Sequence, residues 1–300
     1  MSKTVLITGG TGLIGKHLSK ILTAQGFDVR FLSRKEGLVN GIQCFRWDIA
    51  KQYIDKTAFN GVTYLIHLAG AGIADHRWTE AYKKEIYDSR IDSTKLLAKT
   101  LGSIQHSIKA VVSTSAIGIY GNDIKGSAAE TYPAATNFLA LVCADWEGET
   151  KPISEMGIRT AIIRVGVVLA KESGFVPEVA KPIRYLMGAA LGSGKQRISW
   201  IHIDDLCGIF TKALLDENMK GPYNAVSPIA TDNSTVTKAI AKLLHKPILL
   251  PAVPFFVLKL LFGELATLLV ANQQVSATKI EGAGYRFKHT NLENALATVV

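Results

Sequence analysis

Glycines recur at Gly9, Gly12 and Gly15 in the run Gly9-Gly10-Thr11-Gly12-Leu13-Ile14-Gly15, directly after a short apolar stretch and at the start of an amphipathic one. Glycine has a chemical use in that setting. It lets the backbone turn tightly and approach a pyrophosphate, whose charge then meets free N–H groups at a helix N-terminus. The last glycine permits close packing of that helix on the strand before it. Such spacing also serves ordinary turns, and the strand before and helix after are what point to dinucleotide binding. Gly9, Thr11, Gly12, Leu13, Ile14 and Gly15 are the residues expected to form the phosphate loop.

The end of the next predicted strand chooses among dinucleotides. A carboxylate there would accept hydrogen bonds from an adenosine ribose of NAD. The chain instead reads Phe31-Leu32-Ser33-Arg34-Lys35, with Asp28 at the strand's start and Glu36 beyond its tip. Ser33 and Arg34 suit a 2′-phosphate, which the fixed guanidinium fork matches, so NADP (NADPH) is expected over NAD. Asp48, after the third strand, either meets the adenine amino group or caps a turn. Leu68-Ala69-Gly70 places small residues where the chain would pass under such a cofactor, although a plain turn also explains Gly70.

Ser115 and Tyr120 are the candidate proton-transfer groups. Arg77, Trp78 and His202 are candidates for lining a substrate pocket; Arg77 and Trp78 would clamp an anionic or planar ligand or form surface contacts. Tyr120 and His202 each have a structural alternative, as packed residues whose polar atoms are satisfied internally. Asp204 and Asp205 stand where carboxylates cap a helix. Asn224, on a returning strand, is a further candidate for contacting cofactor or substrate. No His, Glu or Cys spacing suggests a metal, and no G-x-S-x-G elbow is present. The stretch from Gly188 to Lys195 lacks the Ser or Thr that a phosphate-binding P-loop needs after its lysine, and reads as a flexible pocket loop.

These residues need elements to hold them. Short β-branched runs alternate with helical patterns, the rhythm of a parallel sheet covered on both faces. Strands are expected at 4–9, 28–33, 43–47, 63–69, 109–115 and 159–166, with a long helix over 79–101. Beyond residue 168 the rhythm loosens: a strand is expected at 198–203, a helix over 204–215, another strand from Tyr223, and helices over 234–245 and 254–270. The apolar stretch from Pro247 to Ala271 is interrupted by Pro251, Pro254, Lys259, Gly263 and Glu264, which argues against a membrane span; it reads as a buried or lid helix, with a helix on a membrane surface as the alternative.

Composition sets the outer bounds. Three hundred residues with 48% hydrophobic and 20% charged side chains exclude intrinsic disorder. The net charge of +9 admits nucleic acid, a membrane surface or small anions as partners, but basic residues are not interleaved with aromatics as nucleic-acid binding would require. Cys44, Cys143 and Cys207 lie far apart and form no disulfide pattern, and the first residues lack a signal-peptide profile; a cytoplasmic protein is expected. The helix over 79–101 offers a possible homodimer face.

Together, Gly9-Gly-Thr-Gly-Leu-Ile-Gly15, His67-Leu-Ala-Gly70, Ser113-Thr-Ser-Ala-Ile-Gly-Ile-Tyr-Gly121 and Trp200-Ile-His-Ile-Asp-Asp-Leu206 resemble the extended, epimerase/dehydratase-like branch of the short-chain dehydrogenase/reductase superfamily. Ile73-Ala-Asp-His-Arg-Trp78, Phe138-Leu-Ala, Trp146-Glu147, Gly192-Ser-Gly-Lys-Gln and the tail around Pro254 to Gly263 resemble its "epimerase family" (SulA-like) subgroup. The resemblance implies an α/β Rossmann fold, a doubly wound parallel sheet with a smaller, mostly helical C-terminal substrate domain. Residues 1–170, with 198–227 returning to them, would form the nucleotide domain, and 171–197 with 228–300 the substrate or lid domain. It adds Ser113 to the expected cofactor contacts.

In that superfamily a Tyr and a Lys four residues on exchange protons with substrate, the Lys lowering the phenol pKa, beside a Ser or Thr on the preceding strand. Thr114 and Ser115 supply the last element. No Tyr-x-x-x-Lys occurs anywhere in the chain, and alignment on Glu147 places Leu139 and Cys143 at the pair's positions. Ser89 replaces the helical Asn that often completes the group. Two readings follow: an NADP-dependent oxidoreductase or isomerase of an unknown small molecule with an atypical site, or a non-catalytic NADP-binding regulator acting on a protein partner.

Overall fold

The computed structural model describes residues 3–300. β1 (Thr4–Thr8) is buried at every position, as a central strand covered on both faces must be. α1 (Leu13–Ala24) turns Leu18 and Leu22 inward, and β2 (Asp28–Ser33) returns parallel to β1. β3 (Gly37–Val39) runs antiparallel to β4 (Ile42–Asp48), which also pairs with the short β5 (Tyr53–Ile54). β6 (Val62–His67) then crosses to the other side of β1.

α2 (Glu80–Leu101) begins at Thr79, whose hydroxyl accepts the Tyr82 N–H. β7 (Ala110–Ala116), α3 (Phe138–Gly148), α4 (Lys151–Glu155) and β8 (Arg159–Val165) extend the sheet. The chain next forms β9 (Val167–Leu169), α5 (Phe175–Arg184), β10 (Arg197–Ile198) and β11 (Trp200–His202). α6 (Ile203–Leu215) brings it back to β12 (Gly221–Ala225), which pairs parallel with β8. β13 (Thr231–Asp232), α7 (Asn233–Leu243), α8 (Phe255–Phe262), α9 (Ala266–Leu269), α10 (Thr278–Gly282) and α11 (Leu292–Ala297) complete it.

The principal sheet has the order β12-β8-β7-β6-β1-β2-β4-β3, parallel except at β3 and β5. The chain winds outward from β1 to β4 and then restarts at β6, so a crevice opens where the windings diverge, at the carboxyl ends of β1 and β6. One core joins Val5, Ile7 and Val112 of the sheet to Leu18 and Leu22 of α1 and Phe210 of α6. The opposite face joins Leu6, Leu65 and Val111 to Leu97 and Leu101 of α2. A third core gathers Ile183, Trp200, Val236, Ile240 and Leu296 from α5, β11, α7 and α11.

Four expectations are corrected. The strand at 198–203 is split at Ser199: β10 pairs antiparallel with β13, whereas β11 pairs parallel with β9. The helix over 254–270 breaks at Gly263, whose φ of +64° ends α8 before a 3-10 turn. Of the buried and lid readings, the buried one fails for α8, which is largely exposed with only Leu258 fully covered. The stretch expected to be a flexible loop is pinned: Leu191 N–H donates to Asn233 Oδ1 at 2.8 Å, and Gln196 Nε2 donates to Leu191 O at 2.8 Å.

Candidate functional site

The glycine run turns between β1 and α1 at the mouth of the crevice. Gly9 has φ +66°, and a Cβ there would stand 2.9 Å from the Leu68 carbonyl. At Gly10 it would lie 2.2 Å from the Phe31 ring, and at Gly15 2.5 Å from Gly9 O. Gly12 N–H donates to Gly9 O at 3.0 Å, and the first helical bond runs from Lys16 N–H to Gly12 O. The N–H groups of Leu13, Ile14 and Gly15 precede that bond, and Gly12 caps the helix without a side chain, so a ligand anion can meet them. Thr11 is exposed on the same turn.

Arg34 is exposed just beyond β2. The nearby carboxylates are engaged elsewhere: Asp28 pairs with Arg30 at 3.0 Å, and Asp48 lies 3.9 Å from Arg46. Asp48 also accepts the Lys51 N–H at 3.1 Å, which is the turn-capping role. Ser33 Oγ accepts the Lys35 N–H at 3.4 Å.

Across the crevice, Leu68 and Ala69 donate their N–H groups to Thr8 Oγ1 at 3.1 and 3.2 Å. His67 is wholly buried between Thr8 and Thr94, 2.7 and 3.0 Å away. Burial, aided by the Arg90 charge, pulls its pKa down to about 3. Arg90 supports the following loop, donating to Ala71 O at 3.0 Å and Ile86 O at 2.9 Å while its guanidinium lies 5.2 Å from the Trp146 ring. Gly70 leaves room for it: a Cβ there would be 3.1 Å from Arg90 Cζ.

Ser113 and Ser115 are buried on β7, and the Thr114 and Ser115 hydroxyls have no hydrogen-bond partner among the described residues. Leu139 and Cys143 of α3 both face Gly118. Burial pushes the Cys143 thiol up to about 11, against the lowering influence of Arg90.

Tyr120 is corrected from a candidate acid to a structural residue. It sits in a 3-10 turn, not at the end of a strand, and is 3% exposed. Its hydroxyl donates to Asn224 Oδ1 at 2.7 Å and accepts from Arg164 Nη1 at 2.8 Å, so its one proton is committed. Burial raises its pKa, with Arg164 opposing. Arg164 in turn makes a two-pronged, buried pair with Glu147, at 2.8 Å on each prong. Asn224 spends its amide on the Ser276 and Ala128 carbonyls, at 3.1 and 3.4 Å.

The three pocket candidates do not converge. His202 is buried at the start of α6, where its Nδ1 accepts the Asp204 N–H at 3.2 Å and its Nε2 meets Thr298 Oγ1 at 2.9 Å. That is a cap, not a pocket wall. Arg77 Nη2 donates to Leu260 O at 2.8 Å and its Nε to Leu261 O at 3.0 Å, closing the end of α8. Trp78 donates its indole N–H to Ile73 O at 2.7 Å and packs edge-on against Phe138.

Sequence reasoning missed His67, Arg90 and the Glu147–Arg164 pair. A helical stripe of Ile86, Arg90, Ser93, Thr94 and Leu97 carries the only signal for Arg90, a cation on a face otherwise turned inward. It also missed that His202 and Asp204 meet His289, the ligand atoms of the three lying within 4.8 Å of one another. The His202 lone pair is already taken by the helix N–H, and the two imidazoles stack at 3.8 Å.

A glycine cradle at the point where a doubly wound parallel sheet reverses defines a nucleotide-binding Rossmann protein. The chain belongs to the NAD dependent epimerase/dehydratase family, which residues 5–226 match. Residues 253–299 match a domain of unknown function, DUF1731. Epimerase family protein YfhF of Bacillus subtilis is 33% identical over 99% of this chain and 97% of its own. The structure of human epimerase family protein SDR39U1 with NADPH has a TM-score of 0.87 at 30% identity, covering 99% of this chain and 98% of that one. Thermus thermophilus UDP-glucose 4-epimerase in complex with NAD shares the fold, with a TM-score of 0.80 at 19% identity over 99% and 97% of the two chains. No helix among the described residues is long and apolar enough to cross a membrane.

Proposed function

We propose that the protein binds NADP(H) in the β1–α1 crevice and is an oxidoreductase or isomerase of a small carbonyl or hydroxyl substrate. The carrying observation is Arg34, exposed just past β2 where an NAD site would want a carboxylate. The NADPH of the human relative's structure supports the same reading. Gly9, Gly12, the first N–H groups of α1, Ser33 and Arg34 would hold the dinucleotide, with Leu68, Ala69, Gly70 and Ser113 beneath it; the space at the glycines fits the group. When bound, it would supply hydride exchange.

The chain's own part is to orient and to stabilise. Ser115 Oγ, buried beside the Cys143 thiol, would have to turn toward the crevice to donate to the substrate oxygen, and the buried Arg90 cation biases the region toward negative charge. The Tyr-Lys pair has no substitute in Leu139 and Cys143, so the proton comes from substrate or water. The second reading, a non-catalytic regulator with a protein partner, draws on that same apolar filling. With its cysteines free and buried, the protein suits the reducing cytoplasm.

Titration with NADPH and NADH tests the cofactor. NADPH should bind at least about tenfold more tightly, and Arg34→Ala should abolish the difference while leaving NADH affinity unchanged. Equal affinities in the parent protein would refute the assignment. NADPH oxidation across a carbonyl panel, lost in Ser115→Ala, separates the enzyme from the regulator.

A further inference from the structure

Water-facing helices keep their apolar residues inward, and α8 does not. Its sequence is FFVLKLLF; Phe256 is 72% exposed, Leu260 78% and Leu261 55%. The apolar surface continues past the helix. Val253 N–H donates to Ala190 O at 2.8 Å and Gly192 N–H to Val253 O at 2.9 Å, which lays the segment after α5 alongside the segment before α8. There Leu186, Met187 and Leu249 are also exposed. Contiguous apolar surface of this kind marks an interaction site.

Charge identifies the occupant. Residues 181–195 and 242–262, which build this face, contain Lys181, Arg184, Lys195, Lys242, Lys246 and Lys259 and no Asp or Glu. All six cations are exposed; Lys242 is paired with Glu293 at 3.5 Å and the carboxylate just past the face, Glu264, with Lys83, which leaves the other five cations without an ion pair among the described residues. A second copy would set these cations against their own kind, which like-charge repulsion disfavours. An eight-residue helix is about 12 Å long, far short of a roughly 30 Å hydrocarbon core, so α8 cannot span a bilayer. Exposed Phe and Leu ringed by Lys and Arg suit the layer where acyl chains meet anionic headgroups.

We propose that this face seats the protein on an anionic lipid surface, with α8 lying in the plane of the headgroups. The helix is held for that purpose from behind. Arg77 closes its last carbonyls, Leu258 anchors its inner side, and Lys83 pairs with Glu264 at 2.5 Å just beyond its end. Arg77, unconverted to a ligand clamp, thus has its use in presenting α8.

Co-sedimentation of the full chain with vesicles of phosphatidylcholine, alone or mixed with phosphatidylglycerol, tests this. Binding should require the anionic lipid and weaken at high salt. Phe256→Ser/Leu260→Ser should lose at least about tenfold in vesicle affinity, and Lys246→Glu/Lys259→Glu a similar amount. All four side chains are exposed, so the thermal melting temperature should stay the same and report intact folding. No binding to the mixed vesicles, equal binding to both kinds, or unchanged binding by folded variants would overturn the proposal. So would a dimer in sedimentation velocity that Phe256→Ser/Leu260→Ser dissolves, which would assign the face to a second copy.

Discussion

Thr8 Oγ1 lies 2.7 Å from His67 Nδ1 while accepting N–H groups from both Leu68 and Ala69. With its lone pairs used, the hydroxyl must give its proton to Nδ1. The imidazole is therefore the neutral tautomer with hydrogen on Nε2, an assignment that follows from the hydrogen-bond network. That N–H faces Thr94 Oγ1, whose own proton goes to Arg90 O at 2.7 Å. The chain of donors ties the carboxyl ends of β1 and β6 together beneath the crevice.

Protonating His67 breaks this order, which gives stability a pH dependence. The unfolded histidine titrates near 6.5 and the folded one at about 3, so the unfolded state binds more protons between those values. The stabilisation is full above pH 6.5 and falls as pH drops toward 3. Between pH 6.5 and 5 the loss should be about 2 kcal/mol. Urea unfolding of the parent protein and His67→Asn at both pH values measures it; parallel losses in the two proteins would refute the assignment.

Two glycines of the same loop should fail in different ways. Gly10→Ala drives a methyl into the buried Phe31 ring and should cost about 1–3 kcal/mol of stability, lowering Tm by several degrees. A Cβ at Gly12 comes no closer than 3.3 Å, to Gly9 O. Gly12→Ala should therefore keep Tm nearly unchanged yet lose nucleotide affinity, because the methyl stands where a pyrophosphate would approach. Melting and NADPH titration of both variants decide it.

Removing the Tyr120 hydroxyl leaves Asn224 Oδ1 and Arg164 Nη1 each short of a partner in the interior. Tyr120→Phe should cost about 1–3 kcal/mol in chemical denaturation with NADPH affinity unchanged. Unchanged stability together with lost turnover would return Tyr120 to the catalytic site.

Asp205 fastens the end of the chain. Its buried carboxylate accepts from the N–H groups of Lys288 and His289 at 2.8 and 2.9 Å and from the Tyr285 hydroxyl at 3.0 Å. Asp205→Ala should cost at least about 2 kcal/mol and open the segment around residues 284–292 to limited proteolysis. A digestion pattern matching the parent protein would contradict this.

The central strands and the phosphate loop were legible because each declares itself locally, through β-branched runs and glycines at fixed spacing. Tyr120 was not, since its partners Arg164 and Asn224 lie 44 and 104 residues away and no local pattern joins them. His202 was open between a pocket wall and a packed histidine with its polar atoms satisfied, and only the turn into α6 shows that it is a cap. Nor does periodicity report whether an apolar face is covered; the stretch holding Phe256 and Leu260 read first as a buried or lid helix, and both side chains stand in solvent.

The late arrival of β12 bears on how the chain is made. β8 can pair with β7 once residue 165 has left the ribosome, yet its other edge finds Gly221–Ala225 only after β9, α5, β10, β11 and α6 have followed. A nascent chain paused in that interval carries an open, apolar parallel edge, the surface on which strands of neighbouring chains add. A nascent chain that has released β8 but not yet Gly221–Ala225 is therefore expected to be the form most prone to pair with its neighbours, and the one at which a chaperone has something to hold.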